Sequence, residues 1–353
     1  MTAHADPALD TLLLPFTTGP LKWPRTGGAL FLRARTGAAL RAIALPDLLC
    51  EQSYKPAADA LQRDGWTLCT ADQAGAKRFA LVLVLPPRQR QEARALLARA
   101  VDCCAPGGTL VACMANDEGA RSGESDLKAL AGLAGNITKN HCRVYWSTID
   151  AASGDAALHA AWRAEDAPRP ILEGRFCSRP GVFAWDRIDP ASALLAEHLP
   201  ATLAGSGADL GCGFGYLAAE LLQRCPGIAS IDLYEAEARA LELARKNLAP
   251  FNDRVALDFH WHDVTAGLPK RYDVIVSNPP FHAQGSMDRP DIGRAFIVAA
   301  AEALKLGGRL WMVANRHLPY ESVLDARFGS VRIVTQSQGF KIIEAIKAAG
   351  TRR

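Results

Sequence analysis

The sequence predicts an α/β protein made of two related doubly wound domains in tandem. Length is the first reason, because 353 residues exceed what a single hydrophobic core usually organises. Internal repetition is the second: an apolar strand, a helix, a Gly-Gly pair and another strand follow one another in each half of the chain. A glycine-rich turn between a strand and a helix in the second half is the third, since sheets of this kind bind ligands at such turns. Composition agrees with a folded globular chain, at 49% hydrophobic and 22% charged residues. The net charge of +3 permits a nucleic-acid partner but supplies no basic tail or stripe.

Residues 1–78 alternate short apolar pieces with Gly and Pro, and place a strand near Ala29–Arg33 and a helix over Pro56–Arg63. Phe79–Leu85 is a continuous apolar run of buried-strand length, stopped by Pro86-Pro87. A helix follows from Arg88 to Cys103 with Ala93, Leu96, Leu97, Ala100 and Val101 along one face. Pro106-Gly107-Gly108 reads as its terminating turn, and Thr109–Met114 as a strand leading to Ala115-Asn116. The second half repeats this order: strand Tyr272–Val276, prolines Pro279-Pro280, helix Ile292–Leu306, turn Gly307-Gly308 and strand Arg309–Val313 before Ala314-Asn315. Ala151–Arg169 is rich in Ala, Asp and Pro, and the join falls near Pro168–Pro180, giving domains of 1–170 and 171–353. Pro190 then opens a helix through Leu199.

Asp209-Leu210-Gly211-Cys212-Gly213-Phe214-Gly215 follows a short strand and leads into a helix over Tyr216–Gln223. Glycines at alternate positions let the backbone turn sharply and approach a ligand closely. A dinucleotide fingerprint would need its third glycine at 216, where the chain has Tyr216, so the D-x-G-x-G-x-G form points to S-adenosylmethionine. The next strand, Ala229–Tyr234, ends in Glu235, about 20 residues past the loop, where an acidic side chain can take two ribose hydroxyls. Asp232 is its rival but lies inside the strand; the structural alternative for Glu235 is a carboxylate at a helix start. Asp263, at the end of a third strand, is placed to bond an adenine amine. His260-x-His262-Asp263 also invites a metal reading, which is set aside because no further ligand group is evident.

Ser277-Asn278-Pro279-Pro280-Phe281-His282 closes the strand Tyr272–Val276. Proline lacks an N–H and restrains the residue before it, so the backbone must stop there, exposed at the sheet edge. The Asn278 side-chain oxygen and the Pro279 carbonyl offer two acceptors, and Phe281 offers a stacking surface, which suits a planar base bearing an exocyclic amine. Positioning alone would then aim the nitrogen at a methyl donor, with no metal and no covalent intermediate.

The segment Phe176–Lys347 resembles the RsmC-type family of bacterial ribosomal RNA guanine-N2 methyltransferases, with its large-subunit relative RlmG. The residues that carry the resemblance are Gly181-Val182-Phe183 with Asp189-Pro190-Ala191-Ser192, Asp209–Gly215, Ser277–His282, Val313–Tyr320 and Gly339-Phe340-Lys341. It implies two tandem Rossmann-like methyltransferase domains, the N-terminal one degenerate and the C-terminal one catalytic. The first half matches more faintly, through Ala115–Ser122 and His141–Tyr145; it lacks the glycine loop, and Leu85-Pro86-Pro87 stands where the catalytic segment would be. That half is expected to support folding or to dock RNA. The implied reaction moves a methyl group from S-adenosylmethionine to the N2 amine of one guanosine, displaced from its stack, in the small ribosomal subunit's RNA or, alternatively, the large subunit's. Asn278, Pro279, Pro280 and Phe281 are the implied catalytic residues; Asp209, Gly211, Gly213, Gly215, Glu235, Asp263 and Asn278 hold the cofactor. Phe183, His282, Arg316 and Lys341 are the implied RNA contacts, by stacking or phosphate attraction.

A protein glutamine-N5 methyltransferase also uses Asn-Pro-Pro-aromatic, usually with Tyr; Phe281 and the Asn315–Tyr320 segment argue against it. A DNA adenine-N6 enzyme would need a target-recognition region that is not evident. A non-catalytic RNA-binding or assembly protein conflicts with the intact loop, Glu235 and Asn278. The nine scattered cysteines form no C-x-x-C pair and read as reduced thiols. Met1–Pro15 lacks a basic segment before Leu12-Leu13-Leu14, and no apolar run reaches the length of about 18 residues needed for a membrane span. A cytoplasmic monomer partnered by ribosomal RNA or a ribosomal subunit is the expectation.

Overall fold

A computed structural model describes residues 6–43, 45, 47–150, 155–280 and 290–348. The chain divides into two compact units, Met1–Ala167 with Arg179–Gly181, and Pro168–Ser178 with Val182–Arg353. In the first unit the strands are β1 (Ala29–Leu32), β2 (Leu48–Glu51), β3 (Thr67–Cys69), β4 (Phe79–Val84), β5 (Cys104–Ala115), β6 (Gly135–Lys139) and β7 (Cys142–Thr148). They form one sheet in the order β3-β2-β1-β4-β5-β7-β6. A short antiparallel pair, β8 (Arg169–Ile171) and β9 (Phe176–Ser178), opens the second unit. Its main strands are β10 (Ala204–Leu210), β11 (Gly227–Glu235), β12 (Ala256–Trp261), β13 (Tyr272–Ser277), β14 (Leu304–Asn315), β15 (Ser330–Ser337) and β16 (Phe340–Ile346). Their order, β12-β11-β10-β13-β14-β16-β15, repeats that of the first sheet strand for strand.

In each sheet the first five strands in chain order pair in parallel, and the last strand in chain order, β7 or β16, runs antiparallel between its two neighbours. A parallel sheet needs both faces covered, which is why β1, β4 and the middle of β13 are apolar without alternation. In β13, Val274 and Val276 enter one core layer with Leu217, Leu221 and Leu233, while Ile275 enters the other with Phe296, Ile297 and Leu310. Each such buried side chain stabilises the fold by about 1.5–3 kcal/mol.

Several boundaries differ from the sequence reading for local reasons. Gly107-Gly108 and Gly307-Gly308 are not turns that precede a strand; they lie inside β5 and β14, where the pairing register shifts. Gly107 and Gly307 take φ of 77° and 78°, and each donates its N–H to the chain beyond the last-formed strand, at Ile149 and Lys347. The helix after Glu235 starts not directly behind it but at Ala238, because the Glu237 side chain caps it by accepting from Arg239 N–H. Residues 1–78 also contain a helix, Pro7–Thr17, whose buried Leu9, Leu12 and Leu13 form one side and whose cap is the Asp6 carboxylate.

Candidate active site

The pairing of β10 with β11 on one side and β13 on the other sets the site, because Leu210 lies level with Tyr234 and with Ser277. The residues that follow this level, Gly211, Glu235 and Asn278, therefore emerge together at the place where strand order reverses. A pocket there is lined by Asp209, Gly211, Cys212, Gly213, Phe214, Tyr216, Leu217 and Asn278, together with Phe183, Ala184, Asp189 and Ser192. Ser277 anchors the end of β13 by donating its hydroxyl to the Leu210 carbonyl at 2.8 Å.

Within the loop, Gly213 and Gly215 serve different ends. Gly213 has φ 54°, and a Cβ added there would meet no protein atom within 4 Å, so it faces open space. Gly215 has φ 91° and starts the helix Tyr216–Arg224; a Cβ there would come within 3.3 Å of Ala244 on the helix Ala238–Leu248. The Glu235 carboxylate lies against the loop, accepting from Gly213 N–H and Glu237 N–H, each at 2.8 Å. Burial raises its pKa above the ordinary carboxylate value. Asp209 is 1% exposed, and its Oδ2 has no hydrogen-bond partner among the described residues. Burial, and then the nearby Glu235, push the Asp209 carboxyl up to about 8. Asp232 sits away from this pocket, inside β11, where it accepts from Tyr272 and Lys270.

Asn278 is half-buried, followed by a buried Pro279 and an exposed Pro280. Its Nδ2 donates to Asp189 Oδ2 and to Ser192 Oγ, both at 2.8 Å. Asp189 is the N-cap of the helix Pro190–His198, and the same Oδ2 accepts from Ser192 N–H at 2.9 Å. Phe183 is 67% exposed at the pocket rim, next to Ala184 with φ 49°. Phe281 and His282 lie outside the described residues.

Asp263 stands just past β12 as the cap of a short turn, its Oδ1 accepting from Thr265 N–H and Oγ1 at 2.9 and 2.7 Å. Arg316 is exposed. Lys341 is not: it is 2% exposed, and its Nζ donates to the Leu318 carbonyl and the Glu321 carboxylate. The expected RNA contact at Lys341 is therefore corrected, because its charge is spent inside the unit tying β16 to the Leu318–Glu321 turn. Strand pairing also supplies what the His-x-His reading lacked, as Asp232 lies opposite Asp258 and Tyr234 opposite His260. Asp232, Asp258 and His260 could together offer ligand atoms to an ion, but the Lys270 ammonium already lies 2.9 Å from Asp232 and 3.0 Å from Asp258. His262 instead faces the Gly267 carbonyl at 2.7 Å.

In the first unit the same register places Arg33 where Gly211 stands, Gln52 where Glu235 stands and Leu85 where Asn278 stands. Arg33 donates to the Leu85 carbonyl at 3.3 Å, and Gln52 donates to the Ala34 carbonyl at 2.7 Å. The Arg33 side chain thus reaches across to the neighbouring strand end, where an apolar Leu85, 4% exposed, takes the place of the amide. This sheet repeats the architecture without the glycine loop or the strand-end Asn.

A glycine loop and an Asn-Pro-Pro strand end opening on one crevice of a doubly wound sheet define a methyltransferase. The profile of the methyltransferase small domain matches residues 173–344. The chain belongs to the ribosomal RNA small subunit methyltransferase C family: it is 30% identical to the member from Psychromonas ingrahamii over 280 residues, 78% of each chain. It is 32% identical to the member from Yersinia enterocolitica over 259 residues, 73% of this chain and 72% of that one. Among solved structures, the T. thermophilus 16S rRNA N2 G1207 methyltransferase (RsmC), in complex with AdoMet and guanosine, superposes with a TM-score of 0.77 over 98% of this chain and 93% of that one. At 24% identity this is a likeness of fold, and it extends over both units.

Proposed function

We propose that this protein transfers a methyl group from S-adenosylmethionine to the exocyclic N2 amine of a specific guanosine in small-subunit ribosomal RNA. The observation that carries the reading is that Asn278 opens into the same pocket as Asp209, Gly211 and Gly213, so an amine held at the strand end faces whatever the glycine loop holds. The residues fit that cofactor: Gly213 leaves room at the loop, Glu235 lies beside it for ribose hydroxyls, and Asp209 presents an orphaned buried oxygen toward a cationic group. Asp263, past the third strand end, is assigned the adenine amine. When bound, S-adenosylmethionine supplies an electrophilic methyl group on a sulfonium.

The chain's own contribution is orientation. Asn278 Oδ1 and the Pro279 carbonyl accept the two amine hydrogens, which withdraws the amine from conjugation with the ring and leaves its lone pair directed into the pocket. Phe183 at the rim and Phe281 stack on a base displaced from its helix, and His282 and Arg316 meet the RNA backbone. The first unit, within residues 1–170, docks or helps to fold the RNA. The protein works as a cytoplasmic monomer on ribosomal RNA or an assembled subunit.

Calorimetry and a methyl-transfer assay on ribosomal subunits from a strain lacking the gene test this reading. Wild type binds S-adenosylmethionine and restores one guanosine methyl; Gly211→Arg loses binding. Asn278→Ala loses transfer by about 100-fold or more, a far larger effect than any on S-adenosylmethionine affinity, where Asn278 is one contact among seven. Transfer by Asn278→Ala at the wild-type rate would refute the assigned role.

A further inference from the structure

We infer that Asp189 and Ser192 are positioning residues for the transfer, fixing which end of the Asn278 amide faces the substrate amine. The inference rests on the methyl-transfer reading above. An amide side chain can turn over about its last bond, exchanging oxygen for NH2 with little change in shape. Only one of the two orientations suits an amine, because an NH2 group directed at another NH2 group offers a donor to a donor. The chain therefore needs a device that discriminates between them.

The end of the helix Pro190–His198 supplies it. A carboxylate is an acceptor only, so Asp189 Oδ2 at 2.8 Å requires the nitrogen of Asn278 on that side. Ser192 Oγ takes the second hydrogen of the same nitrogen at 2.8 Å. Both hydrogens of Nδ2 are thereby committed, and Oδ1 is left to accept. Turning the amide over would set its oxygen against the Asp189 carboxylate and sacrifice that bond, so Asp189 sets the orientation and Ser192, whose hydroxyl can accept or donate, holds the amide in it. Asp189 is in turn held by accepting from Ser192 N–H, so one cap interaction fixes the helix start and the reference point for the amide. Asp189 and Ser192 line the pocket with Asn278, which places the whole device at the site.

The first unit gives an internal contrast. There Leu85 occupies the register position of Asn278, and the strand end carries no amide to orient.

The test uses the full chain. Asp189→Ser keeps a residue that caps helices well but is too short to reach Asn278, and Ser192→Ala removes the second acceptor without touching the cap. For each we expect kcat to fall by about 10- to 100-fold, the range for a lost hydrogen bond involving a charged or buried group. The affinity for S-adenosylmethionine and the melting temperature stay close to wild type. Asp189→Asn, which retains an acceptor oxygen at full length, recovers most of the loss. In an Asn278→Ala background Asp189→Ser brings no further decrease, because there is no amide left to orient. An unchanged kcat in Asp189→Ser, with Asn278→Ala inactive, overturns the inference and leaves the methyl-transfer reading standing. Wild-type activity in both Asn278→Ala and Asp189→Ser overturns the reading itself. A decrease by Asp189→Ser of equal size with and without Asn278 also overturns the inference, since it would act through something other than the amide.

Discussion

Asp209 is held in a place where a charge is poorly solvated and Glu235 is already near, and its carboxyl is pushed up to about 8 for those two reasons. Between the ordinary carboxylate range and about 8, the folded chain keeps a proton that the unfolded chain has released. Stability of the empty protein therefore falls as pH rises across that window. A cationic ligand in the pocket favours the ionised form, so binding S-adenosylmethionine should expel the proton, and affinity should rise from about pH 6 toward about 8. Calorimetry in buffers of different ionisation heats measures that release, and Asp209→Asn should abolish it. The motif containing Asp209 was legible in the sequence; its charge state was not, because it depends on a neighbour on another strand. Lys341 shows the same limit. A lysine beside Gly339 and Phe340 reads as a surface cation, yet register with β14 carries it inside to Glu321.

Elements were most legible where several residues repeat one signal. β4 is an unbroken apolar run, β13 is apolar over Val274–Val276, each is followed one residue later by Pro-Pro, and both lie at the centre of their sheets. Short or exposed strands were illegible: β2 and β3 span 4 and 3 residues, too few to show a period, and β15 is largely exposed. The glycine loop was recognised as a unit, but the division of labour within it follows from what packs behind each residue. Gly213→Ala should leave stability nearly unchanged apart from a left-handed strain of about 1 kcal/mol, while abolishing cofactor binding. Gly215→Ala should instead lower stability by about 2–4 kcal/mol, combining strain at φ 91° with a contact against the Ala244 backbone. Thermal melts with and without S-adenosylmethionine separate the two; equal loss of stability in both variants would show that the loop acts as one structural block.

At the scale of the whole molecule, the sequence repeat reached only from one strand to the next, whereas the two sheets correspond over all seven strands. The correspondence was hidden because most of it is carried by short edges and by the antiparallel ends, where side-chain identity is weakly constrained. What the repeat did expose is the difference at one register position, Asn278 against Leu85. Methyl transfer needs the glycine loop and the Asn strand end to lie apart with a ligand between them. In the first unit the Arg33 side chain crosses that gap and donates to the Leu85 carbonyl.

From that bond the two loops are expected to respond differently to a ligand. A crevice already bridged by its own side chain has nothing to gain from a small molecule, whereas a ligand over Gly211–Gly215 would hold closed the bonds already made there, from Gly211 and Cys212 N–H to the Tyr234 carbonyl and from Gly213 N–H to Glu235. Amide hydrogen exchange should therefore slow at Gly211–Gly215 when S-adenosylmethionine is added and stay unchanged at Arg33–Thr36. Slowing at both would mean that the first sheet still admits the ligand. On this account the first sheet's crevice is bridged by its own arginine where that of its twin stays open to a ligand.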